Sequence, residues 1–351
     1  MKKLFFIAAI AGVALVSCTK NEVAPIAQQD EITFATPVVG PQTKVQYGEI
    51  GVNYNEAEHF GVYAVHTPTA LSKWEDGSLY MGTNGVGLEC LKASTESYWA
   101  PTTPYYWPKE GVLSFAAYSP FDVSGDVTYG ATGLSVTGHT VSNNTAEHVD
   151  FMYAPRVYNR NSSTEEGDDD NSKYEYDGVN ILFEHAMSSI VFKVARKTGI
   201  DPSTEITLNK ITLTQPYLKA DFNETITDGA TYDAAPKWSN WDSATDVVAY
   251  EPATGATLTE DLVEYVNNTD DDIILIPQTL TNNVKVVLEY TIKNPGNHKV
   301  DQVSEIQLNT HTASWGIGTR YTYNITIGLD EIIFDPAVTE WKDATGVAIT
   351  F

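Results

Sequence analysis

The feature that most narrows the fold is a strict two-residue alternation in the second half of the chain. Val284, Val286, Leu288, Tyr290 and Ile292 fall on one face of an extended segment, with Lys285, Glu289, Thr291 and Lys293 opposite. Tyr321, Tyr323, Ile325, Ile327 and Leu329 repeat the pattern, with Thr322, Asn324 and Thr326 facing the other way. Successive side chains of a strand point to opposite faces, so such segments bury one face and wet the other, as antiparallel sheets do. Ile190, Phe192 and Val194 also share a face. Ile206 and Leu208 are followed out of phase by Ile211 and Leu213, which predicts a bulge or tight kink near Asn209-Lys210. Val112 to Tyr118 is apolar on both faces and stops at Pro120, as expected for a strand buried on both sides. Phe60 to Val65 and Asp150 to Ala154 read as further strands. Glu31 to Thr36 reads as a short first strand, with Ile32 and Phe34 on one face, and strand-like alternation resumes at Lys44 to Tyr47. Only Thr259 to Val266 reads as a short helix.

The strands fall into two groups. Between Arg156 and Asp177 the chain turns polar and acidic, with Glu165, Glu166, Asp168, Asp169 and Asp170, and a domain boundary is expected there. A length of 351 residues suits two domains. The fold class expected is therefore all-β, two β-sandwich domains of mainly antiparallel strands, over residues 31–165 and 178–351. Twenty Tyr, with many Thr and Val, favour strands in the same way.

The front of the chain sets the compartment. Lys2 and Lys3 precede an unbroken apolar run, Leu4 to Val16, the layout of a secretory signal over residues 1–17 and too short to span a bilayer. Leu15-Val16-Ser17-Cys18 resembles the bacterial lipoprotein box, which implies cleavage before Cys18 and acylation of that cysteine. Residues 18–30 then read as a tether between lipid and fold. Only Cys90 would remain beside Cys18, so an internal disulfide is not expected, and Cys90 reads as a buried small apolar residue. A net charge of −25 repels phosphate backbones and argues against nucleic acid as a partner.

No catalytic signature stands out. GxSxG and HExxH are missing, and no acid pair is singled out for glycoside hydrolysis, so neither enzyme activity nor a cofactor is expected. Asp168, Asp170 and Ser172, or Asp270, Asp271 and Asp272, could be drawn as calcium loops. The first lacks the glycine and closing glutamate of an EF-hand, and both read as solvated loops rather than metal sites. His185, in a strand-like stretch, reads as structural rather than as ligand or base. Trp238 and Trp241 lie in a loop-like stretch, where they are either candidate glycan contacts or the plug of a sandwich end. Asp242-Ser243-Ala244 resembles a bacterial O-glycosylation sequon.

Four stretches, in order, carry a wider resemblance: Tyr106-Trp107-Pro108 running into Leu113 to Pro120; Asp150 to Ala154; Phe183 to Ser188 running into Phe192-Lys193-Val194; and Trp315-x-x-Gly318 before Tyr321-x-Tyr323. Trp341 after Val338 adds to it. Together with the lipoprotein box they resemble the fimbrillins of Bacteroides-type bacteria, subunits of type V pili. The resemblance implies two tandem transthyretin-like β-sandwich domains and an outer-membrane lipoprotein precursor anchored through Cys18. It further implies a protease that removes the first strand with Ile32 and Phe34, and a donor strand from a neighbouring subunit, here Val347, Ile349 and Phe351, that fills the groove. The family's usual cleavage arginine has no counterpart between Cys18 and Lys109, so Lys44, in the loop after the first strand, is the expected processing site. Partners would be other pilin subunits, membrane lipid, the protease and a host or bacterial surface receptor. The other reading is a monomeric surface lipoprotein that binds glycan or host protein through its loops.

Overall fold

The computed structural model describes residues 31–35, 37–40, 52–53, 59–83, 85–92, 98–162, 178–226, 237–267, 272–329 and 332–341. Among them the chain forms, in order, β1 (Val38–Val39), β2 (Val52–Asn53), β3 (Phe60–Thr67), β4 (Ser78–Met81), β5 (Leu88–Lys92), β6 (Trp99–Pro101), β7 (Val112–Ser119), β8 (Asp126–Gly130), β9 (Gly133–Thr140) and β10 (Met152–Arg160). After the acidic stretch come β11 (Leu182–His185), β12 (Ser188–Arg196), β13 (Glu205–Thr214), β14 (Tyr217–Asn223), β15 (Lys237–Ala244), β16 (Val247–Tyr250), β17 (Ala256–Thr257), β18 (Val263–Glu264) and β19 (Ile273–Leu275). The last are β20 (Lys285–Lys293), β21 (Lys299–Gln307), β22 (Thr319–Ile327) and β23 (Ile332–Glu340). The fold is all-β, and its ladders are mainly antiparallel.

A nine-stranded sheet runs β2-β1-β11-β10-β7-β3-β5-β6, with β4 also on β3. Both of its faces are buried. Tyr63, Val65, Ala116 and Tyr118 point into one cluster, whose other wall is the sheet β15-β14-β9-β8 with Val136, Phe222 and Trp238. Phe60, Val62, Phe115 and Ala117 point into a second cluster, which holds Ile32 and Phe34. The two-sided burial expected for Val112 to Tyr118 follows from this alternation between two cores. A third core lies between the sheets β18-β12-β22-β23 and β16-β13-β20-β21, with Phe192, Leu208, Leu288 and Tyr323 at its centre. The ladder of β13 with β20 shifts register between Leu208 and Lys210, where the phase change in sequence places it.

Strand pairing joins the halves of the chain, and some local expectations meet corrections. The division into 31–165 and 178–351 is crossed by hydrogen-bonded ladders. β9 pairs with β14 across it, and β11, although it follows the acidic stretch, pairs with β10. The physical reason is that β14 and β15 cover apolar side chains of the first half, so the two halves share a core. Arg156, expected in a polar linker, is part of β10. Its guanidinium stacks over Trp74 at 4.9 Å and its Nε donates to the Tyr129 hydroxyl at 2.7 Å. Thr259 to Val266 is not a helix. Val263 and Glu264 pair with Val194 and Lys193 because the open edge of β12 needs main-chain partners, and the Tyr265 N–H donates to the Phe192 carbonyl at 3.0 Å. Leu329 lies beyond the end of β22 and is 51% exposed.

Candidate functional site

The expected first strand occupies a slot between two edges of the large sheet. On one side, the Ile32 N–H donates to the Tyr105 carbonyl at 2.7 Å, and Phe34 and Trp99 exchange both main-chain bonds at 2.9 Å. On the other, the Val179 N–H donates to the Thr33 carbonyl at 2.9 Å and the Ala35 N–H to the Val179 carbonyl at 3.1 Å. The segment continues into β1, which runs parallel to β11 through Val38 opposite Leu182 and Val39 opposite Phe183. Residues 31–35 therefore run antiparallel to the Trp99 edge and parallel to the Val179 edge.

Side chains add to the ladder. Ile32 and Phe34 are fully buried. The Phe34 ring meets Phe60 at 5.7 Å and Phe115 at 5.8 Å, both edge-to-face, and Phe60 meets Phe183 in turn at 5.6 Å. Burying two such side chains stabilises by roughly 1.5 to 3 kcal/mol each, and each main-chain bond adds about 1 kcal/mol. Gly178 lets the strand lie this close, because a Cβ there would come within 2.8 Å of the Ala35 nitrogen. The slot walls Trp99, Tyr105 and Val179 are absent from the sequence-derived site. Val179, Ile181 and Phe183 alternate and are all fully buried, a pattern that could have pointed to this edge.

A second convergence lies where the halves meet, and it gathers the stretches singled out in the sequence. Met152 pairs with His185 and Tyr153 with Glu184 across β10 and β11. The Tyr153 hydroxyl donates to Glu184 at 2.7 Å, and burial raises the pKa of that carboxyl above its ordinary value. The Nδ1–H of His185 donates to Asp150 at 2.6 Å, and its ring stacks on Trp341 at 3.9 Å with an interplanar angle of 10°. The Trp341 N–H donates to the Gly318 carbonyl at 3.1 Å, and the Gly318 N–H to the Met187 carbonyl at 2.8 Å. Trp315 donates through its indole to the Tyr323 hydroxyl at 2.8 Å. These side chains are thus committed to one another, and the Trp341 ring pins the end of β23 to the junction.

The remaining sequence-derived residues are dispersed. Trp238 lies on β15, not in a loop. It is buried, its indole N–H donates to the Ala186 carbonyl at 2.8 Å, and its ring packs against Phe151 and Phe222, so it has no face for a sugar. Trp241, on the same strand, is 40% exposed, with its N–H on the Pro277 carbonyl at 2.9 Å. Cys90 is buried in the slot core, and burial raises its thiol pKa. Asp272 accepts from Arg320 at 2.7 Å and from Ser189, so it is engaged by the fold itself. Asp242, Ser243 and Ala244 end β15, with Asp242 and Ser243 exposed. Cys18, Lys44, Val347, Ile349 and Phe351 lie outside the described residues, as do Asp168, Asp170, Ser172, Asp270 and Asp271. Among the described residues no helix is long and apolar enough to cross a membrane.

The family model described as fimbrillin-like matches residues 43–341. The chain belongs to the fimbrillin-like family. The match begins past the slot strand and ends on Trp341, so it spans most of the slot's walls without the strand that fills them. No curated protein matches the sequence. Among solved structures, the chain is similar to a fimbrial protein from Bacteroides vulgatus, at 16% identity and a TM-score of 0.53, over 89% of this chain and 99% of that one. It is also similar to a candidate cell adhesion protein from Bacteroides uniformis, at 13% identity and a TM-score of 0.51, over 90% of this chain and 99% of that one. At these identities the likeness establishes the fold alone.

Proposed function

We propose that this fimbrillin-like chain is a structural subunit of surface fimbriae that serves cell adhesion, made as an outer-membrane lipoprotein acylated at Cys18 and polymerised by strand exchange. The observation that carries the proposal is the slot. A segment bonded along both edges, with Ile32 and Phe34 buried to zero exposure, is the geometry in which removal of one strand leaves an acceptor for another. Its removal would uncover two rows of main-chain groups and the seats of Ile32 and Phe34 together. Unpaired edges of this kind attract a replacement strand. Processing at Lys44 would free the strand, and Val347, Ile349 and Phe351 of a neighbour would supply the replacement. Family membership and the likeness to a fimbrial protein support this reading. A monomeric glycan binder would have to rely on Trp241, since Trp238 is buried.

The test is the N-terminus of protein sheared from cells, together with electrophoresis without boiling. The expected result is a chain starting at Val45 and a heat-labile ladder of multimers. A single band whose chain still starts at Cys18 would overturn the proposal.

A further inference from the structure

We propose that the places of Ile32, Thr33 and Phe34 in the slot are refilled by Ile349-Thr350-Phe351 of a second copy of this chain, with Ile349 in the seat of Ile32 and Phe351 in the seat of Phe34. This rests on the strand-exchange reading above and adds a register and a partner to it. The observation is an identity. Residues 32–34 and residues 349–351 are the same tripeptide, Ile-Thr-Phe. In the first of them, the Ile and the Phe are the two fully buried side chains of the slot.

The seats are not interchangeable. The Phe34 seat is walled by the edges of two rings, Phe60 and Phe115, each near a right angle to it. An aliphatic side chain placed there would lose both edge-to-face contacts and leave part of the volume empty, and a void in a packed core costs contact energy on every side. Alternation alone would be satisfied equally well by Val347 and Ile349 in the two seats, with Phe351 two residues further along. That register leaves the aromatic seat with an isoleucine.

Direction follows from the ladder. A tail entering with the polarity of residues 31–35 sets the Ile349 N–H on the Tyr105 carbonyl, the Thr350 carbonyl on the Val179 N–H, and Phe351 in two-way exchange with Trp99. These are the groups that bond Ile32, Thr33 and Phe34. Gly178 leaves the same close approach open to the incoming backbone. Entry with the opposite polarity would either put the ring where Ile32 sits or, with Phe351 kept in the Phe34 seat, leave the Ile32 seat empty. Val347 then aligns with residue 30, next to the exposed Glu31 and outside the two seats.

The experiment is done on cells expressing the full-length chain, with the multimer ladder read against total surface protein. Phe351→Ala and Ile349→Ala are each expected to reduce multimers by about tenfold or more, and Val347→Ala by less than about twofold. Benzoylphenylalanine at position 351 is expected to crosslink to the segment of a second copy that carries Trp99 or Phe115. If Val347→Ala and Ile349→Ala deplete the ladder while Phe351→Ala does not, or if the crosslink falls elsewhere, the register is wrong although strand exchange stands. If the ladder survives deletion of residues 347–351, strand exchange through this tail fails, and the proposal with it.

Discussion

Residues 31–35 and β23 lie near opposite ends of the described chain, and both are extended segments with alternating apolar residues. Their surroundings differ. The first is bonded on two sides and hides Ile32 and Phe34 completely. The second is an edge strand, paired among the described residues only with β22, and it leaves Ile333 47% and Val338 55% exposed while Ile332 and Phe334 are half-buried. Detaching β23 would open one edge, whereas losing residues 31–35 opens two edges and two seats. Unpaired buried main-chain groups cost about 1 to 3 kcal/mol each, so the first segment is much the harder to do without. A strand that is costly to lose is also one whose place is worth refilling, so the strand exchange proposed above would put its acceptor at the front of the chain.

The largest expected effect tests that contrast directly. Phe34→Ala should lower the unfolding free energy of the intact precursor by about 3 to 5 kcal/mol, whereas Phe334→Ala should lower it by about 1 to 2 kcal/mol. Urea unfolding of the two variants gives the comparison, and equal costs would break it. Trp341→Ala comes next, at about 3 kcal/mol, because this residue, just past the end of β23, supplies the deep burial that β23 itself lacks. Amide exchange should then quicken along the β22–β23 ladder and stay slow in β7.

The two ends were unequally legible in the sequence. Period-two alternation made β12, β20 and β22 readable, and the one-residue slip at Asn209-Lys210 announced its own bulge, because a slip reverses which face is apolar. β15 escaped notice because Asn240 and Ser243 adopt positive φ of 54° and 58° and interrupt the alternation, so Trp238 reads as loop when it is core. Ile32 and Phe34 could be seen as one face of a strand. That they pair with Trp99 and Val179 could not be seen, even though Val179, Ile181 and Phe183 alternate, since ladder bonds are made by main-chain groups that every residue carries. The same reason hides the pairing of β9 with β14, and with it the joining of the halves.

A smaller effect separates the ends by pH. His139 packs on Phe151 and Trp238 in the shared core, with ring centroids 5.5 and 5.4 Å away. Its Nδ1 faces Ser124, and its Nε2 is buried without a hydrogen-bond partner. Burial lowers its pKa from 6.5 to about 4. Between those values the unfolded chain binds a proton that the folded chain refuses, so stability rises with pH through this window and is fully present above 6.5. The loss on going from pH 7 to pH 4 should approach about 3 kcal/mol. His148, also lowered chiefly by burial, accepts from the Ile274 N–H at 3.0 Å, so acid acts on a second bond between the halves. Chemical denaturation at stepped pH measures the slope, and His139→Gln should flatten it. Phe34 meets Phe60 and Phe115, in a different core from the Phe151 and Trp238 that hold His139, so Phe34→Ala should shift the whole curve without changing its shape.

The smallest expected effect is the most exacting. Ile333→Thr keeps a β-branched side chain on β23, so the strand preference of the residue is retained. The side chain is 47% exposed. Little apolar area returns to water and no hydroxyl is forced into a core, so the cost should stay within about 0.5 kcal/mol. The same substitution at Ile32 buries a hydroxyl in an apolar seat and should cost about 2 to 4 kcal/mol. Thermal unfolding of the pair measures the ratio. A cost above about 1 kcal/mol at Ile333 would mean that the outer face of β23 is covered in solution. β23 would then be as enclosed as residues 31–35, and the contrast in burial between the two segments would be lost.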